Sequence, residues 1–95
     1  MNATNNTTNE KLTEQLAKLD WQIEDAKRDL ANAAKQLARR AEEATTQCDA
    51  MLADQPCSLG WVDFAEGDLR RAAELKTRLN QLLEQKNFLT FIAKN

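Results

Sequence analysis

The sequence predicts an all-α protein: an antiparallel two-helix coiled-coil hairpin that dimerises into a four-helix bundle. Three observations predict it. Apolar residues recur at helical spacing for roughly four heptads from Leu12. One breaker-rich stretch, Gln55 to Val62 with Pro56, Ser58 and Gly60, divides the chain once. The composition is that of helices: Ala, Leu, Glu, Gln, Lys and Arg dominate, and after Ile23 the next Val or Ile is Val62.

Residues 1–8 are Asn- and Thr-rich, carry no apolar pattern after Met1, and read as a disordered tail ahead of a helical domain over 9–95. A first helix is expected over 9–54, with Thr8 or Asn9 as its cap and Glu10 in its first turn. Leu12, Leu16, Leu19, Ile23, Ala26, Leu30, Ala33 and Leu37 step by four and three alternately. The next apolar positions are Ala41, Ala44, Cys48 and Met51, so two four-residue steps meet at Leu37 and predict a stutter. The bend is expected over 55–62 and the second helix over 63–93. Asp63 and Glu66 stand at capping-box spacing, and the apolar pattern continues from Leu69 to Leu89. Acid-first i,i+4 pairs such as Glu24–Arg28 and Glu74–Arg78 support both helices.

Composition narrows function mostly by exclusion. Lys plus Arg number 13 against 15 Asp plus Glu, a net charge of −2, which argues against nucleic-acid binding through bulk charge. Histidine and tyrosine are absent, no Gly-rich phosphate loop occurs, and no Ser or Cys stands beside a base, so no enzyme and no cofactor is expected. Cys48 and Cys57 without His cannot build an ordinary four-ligand zinc site; they read as a small core residue and a loop thiol, with a disulfide as the alternative. No apolar run approaches the ~20 residues of a membrane span, nor does one follow a basic start, so a cytoplasmic address is expected. The N-terminal Asn-x-Thr matches carry no weight without a signal peptide.

Two helices in about 95 residues resemble, in outline, the small secreted hairpins whose central turn carries Trp-x-Gly. Here Gly60-Trp61 is reversed and off centre, and that family's C-terminal Tyr motif is missing, so the resemblance ends at the outline.

The positive expectation is protein binding. Folding a longer first helix against a shorter second leaves an overhang of roughly 13 residues carrying Leu12, Leu16 and Leu19. Trp21, counted from Leu16 and Ile23 as a positions, falls at f, the outermost of the heptad. Phe88, Leu89, Phe91 and Ile92 make the end of the second helix apolar around most of its circumference. The predicted partner-binding residues are therefore Leu12, Leu16, Leu19, Trp21, Phe88, Phe91 and Ile92, and the partners a second copy of the chain and another protein. Alanines on several faces from Ala31 to Ala44 suit close approach of more than one helix. The alternative is a nucleic-acid contact through a mid-hairpin basic band of Lys35, Arg39, Arg40, Lys76 and Arg78.

Overall fold

The computed structural model describes residues 3–94, with side chains from Asn9 onward. It is the expected all-α hairpin, made of α1 (Ala3–Leu52) and α2 (Trp61–Lys94). The helices form two compact units: an open-end unit, residues up to Arg28 with those from Thr77 on, and a bend unit, Asp29–Lys76.

Helix α1 begins six residues before the expected start at 9, so 3–8 are helical rather than a disordered tail; Met1 and Asn2 lie outside the described residues. No Gly or Pro occurs in this stretch, and extending a helix backward avoids a new nucleation. Asn9 is inside the helix rather than its cap: its carbonyl accepts a hydrogen bond from Thr13 Oγ1 at 2.9 Å.

The far end of α1 closes on a Schellman motif, which the sequence reading missed. Gln55 N–H donates to Ala50 O at 2.9 Å and Asp54 N–H to Met51 O at 3.1 Å, with Asp54 in the left-handed region at φ 56°. The chain then runs back along α1, and Ser58 N–H donates to Gln47 Oε1 at 2.6 Å. Helix α2 opens at Trp61, two residues before the expected Asp63. Gly60 O accepts from Phe64 N–H, which puts Gly60 at the cap and Asp63 in the first turn, where its charge meets the positive helix end.

The returning bend alters the register. In the open-end unit Lys86 Nζ sits 2.6 Å from Asp20 Oδ1. Eight residues further along α2, Lys94 is therefore level with Leu12. The predicted overhang of unmatched leucines does not exist. Leu19 is buried with Ile23, Ala26 and Leu82, and Leu79 and Leu89 pack against the cluster.

Burial also removes the predicted stutter. Along α1 half-buried positions continue past Leu37 as Arg40, Ala44 and Gln47, in unbroken four-three steps, with Cys48 and Ala50 also half-buried near the bend. Along α2 they run Trp61, Ala65, Asp68, Ala72, Leu75, Leu79, Leu82, Lys86 and Leu89. Polar residues occupy seam positions, so a count of apolar residues alone steps off the seam at Ala41. Glu24 and Arg28 do not pair with each other; Glu24 takes Lys27 at 3.3 Å, Arg28 takes Asp25 at 3.2 Å, and Glu74 takes Arg71 at 4.0 Å, all at i,i+3 spacing.

Candidate functional site

The core is small. Among the described residues Leu19, Ile23, Ala26, Leu75 and Leu82 are buried hydrophobics, while eleven large hydrophobic side chains are exposed. A chain that buries so little gains little from folding alone. Where the exposed residues gather is therefore the question a site must answer.

At the open end the seven predicted partner-binding residues divide. Leu19 is 7% exposed and belongs to the core; Leu12 and Leu16 are half-buried in the seam. Trp21, Phe88, Phe91 and Ile92 are 69%, 63%, 67% and 40% exposed. In the heptad register set by the seam, Phe88 at c and Ile92 at g share one flank of the helix pair, while Trp21 and Phe91 at f stand outermost, each facing away from the opposite helix. On that flank runs an open groove of about 350 Å³, lined by Gln15, Lys18, Leu19, Gln22, Gln85, Phe88 and Leu89. Its floor is apolar, from Leu19 and Leu89, and its walls offer three glutamine amides that donate and accept hydrogen bonds.

The bend unit is organised around Arg40. Its Nε donates to Asp68 Oδ2 at 2.9 Å across the two helices, and its Nη1 reaches Glu43 Oε2 at 2.7 Å. The guanidinium lies 4.8 Å from the Phe64 ring centroid. The hydrogen bonds from Asp68 first, then Glu43, raise the Arg40 pKa above its ordinary value. Of the predicted basic band, Arg40 is thus committed within the chain, whereas Lys35, Arg39, Lys76 and Arg78 are exposed. Lys76 belongs to the bend unit and Arg78 to the open-end unit.

Behind Arg40, Trp61 closes the seam beside Leu37, Ala41, Ala44 and Ala65, and its Nε1–H is buried without a hydrogen-bond partner. Both cysteines are free thiols, Cys48 half-buried and Cys57 exposed. Among the described residues no group of three or more His, Cys, Asp or Glu is placed to hold a metal ion, and no helix is long and apolar enough to cross a membrane.

A second apolar set, Met51, Leu52, Leu59, Val62, Phe64 and Leu69, is exposed in the bend unit and was missed from the sequence. Its signal was present: Val62 and Leu69 each follow a seam residue, the position that flanks a buried stripe. The chain matches no family model, no curated protein and no solved structure. What fold and surface define is a class, a small helical hairpin with more apolar surface than its own core can use.

Proposed function

We propose that the protein is a non-enzymatic interaction module, a small cytoplasmic helical adaptor or inhibitor that binds a partner protein and associates with itself. The observation that carries the reading is the exposure of Trp21, Phe88, Phe91 and Ile92 at the open end, with Phe88 in the lining of a groove with an apolar floor. Aromatic anchors with aliphatic neighbours are the residues whose truncation costs most at interfaces. An amphipathic helix of the partner fits such a groove, its apolar side chains against Leu19, Phe88 and Leu89 and its polar ones against Gln15, Gln22 and Gln85.

The test is capture from the native cell with the tagged chain and its Trp21→Ala/Phe88→Ala variant. A protein retained by the first and lost by the second, at equal helicity, supports the reading. Equal retention by both places the binding elsewhere. Capture of nucleic acid that weakens steeply with salt favours the basic residues Lys35, Arg39, Lys76 and Arg78 instead.

A further inference from the structure

We infer that a second copy of this chain docks on the bend unit, across the α1 face that bears Ala34, Ala38, Ala41 and Thr45, antiparallel to it and related by a twofold axis between Arg39 and Arg40. The inference goes beyond the open-end reading and uses a different surface.

Within the bend unit, one flank of the helix pair is marked by Ala33, Gln36, Asp68 and Arg71, which together line a shallow pocket. The opposite flank follows from the heptad: Ala34 and Ala41 on α1 and Val62 and Leu69 on α2 stand one residue past seam positions. Ala34, Ala38, Ala41 and Thr45 are all exposed. Val62 is 43% and Leu69 59% exposed. The Thr45 hydroxyl donates to Ala41 O at 3.0 Å, so it presents its methyl outward without an unmet polar group. The α1 side is therefore flat and uncharged, and the α2 side adds two bulky aliphatic residues. A partner helix lying on the alanines would cover Val62 and Leu69 at the same time.

The charges beside this face say which helix lies there. Ala31, Ala34, Ala38, Ala41, Thr45 and Cys48 step by three and four, a second seam beside the first. An identical helix laid antiparallel on it stacks Ala38 on the partner's Ala41, Ala34 on the partner's Thr45, and Ala31 on the partner's Cys48. Small side chains at every layer permit the close axis spacing, about 8 Å, at the low end for packed helices. The row that borders this seam carries Lys35 in its first half and Glu42 in its second. In that register Lys35 of each chain meets Glu42 of the other, two ion pairs across one twofold axis. In a parallel arrangement the two charged rows would lie on opposite sides of the contact, and neither Lys35 nor Glu42 would meet a charge of the other chain. The face is thus complementary to itself in one direction only, as a closed twofold interface requires.

The experiment is sedimentation of the full chain with charge variants at Lys35 and Glu42. Both side chains are exposed and no helix contact depends on them, so helicity by circular dichroism stays at the wild-type value. Lys35→Glu and Glu42→Lys alone each weaken the dimer about tenfold, since each turns two attractions into two repulsions. The double variant recovers wild-type association, and an equimolar mixture of the two single variants forms heterodimers. Ala38→Glu, at an exposed position of the monomer, leaves a helical monomer. A wild-type chain that stays monomeric at ~100 μM overturns the inference. So does a dimer indifferent to Ala38→Glu, or single variants that the double variant does not rescue. Trp21→Ala leaves this dimer intact, so loss of the open-end reading and loss of this one are separately visible.

Discussion

Arg40 Nε and Asp68 Oδ2 lie 2.9 Å apart, the side chains 18% and 17% exposed, and both residues occupy seam positions of the helix pair. An oppositely charged pair within the seam fixes register, because sliding either helix by one heptad separates the two charges and leaves each without its partner. Asp68→Ala therefore lowers the melting temperature by several degrees, and Arg40→Lys, which loses the planar fork and the stacking on Phe64, does so less. Replacing both by Leu recovers the lost stability. Thermal unfolding followed by circular dichroism reads all three.

Asp54 is a left-handed residue that is not glycine, and a carboxylate at the negative end of α1 besides. Asp54→Gly removes both penalties and stabilises the chain by about 1 kcal/mol, whereas Asp54→Val costs at least as much. Denaturant titration of the two variants gives the comparison.

Gly67 stands in the second turn of α2 with nothing within 4 Å of an added Cβ and with no left-handed φ. Gly67→Ala raises stability by about 0.5–1 kcal/mol through helix propensity and a less flexible unfolded chain. A loss of stability in solution would show that another surface approaches this position.

Cys48 and Cys57 are separate thiols in the structure. The melting temperature is therefore the same with and without reductant, and the Cys48→Ala/Cys57→Ser variant keeps its helicity. A drop of about 10 °C on reduction would indicate a disulfide, whose removal commonly costs ~2–5 kcal/mol.

The helices were legible from the Leu and Ala spacing, and Pro56 located the bend, because both act locally. Register was not. It depends on the stretch after Asp54 returning along α1 as far as Gln47, a tertiary detail that no local propensity announces. The apparent stutter at Leu37 had the same origin: Arg40 belongs to the seam through its partner Asp68, and hydropathy alone passes over it. Continuing the four-three count strictly from Leu37, and backward from Leu75, lands on these two opposite charges. At the open end Trp21 was correctly read as outward-facing from its f position, while Leu19 was misassigned because its burial rests on the register.

The open-end aromatic residues are the proposed binding surface, and Trp21 is the most exposed of them, 69% accessible and outside the core cluster. The direct measurement is the affinity of Trp21→Ala for a protein captured by the native chain, with helicity recorded alongside. The expected result is an unchanged helical spectrum and binding weakened at least tenfold, about 1.4 kcal/mol. A variant that unfolds, or one that binds as tightly as the native chain, would contradict it.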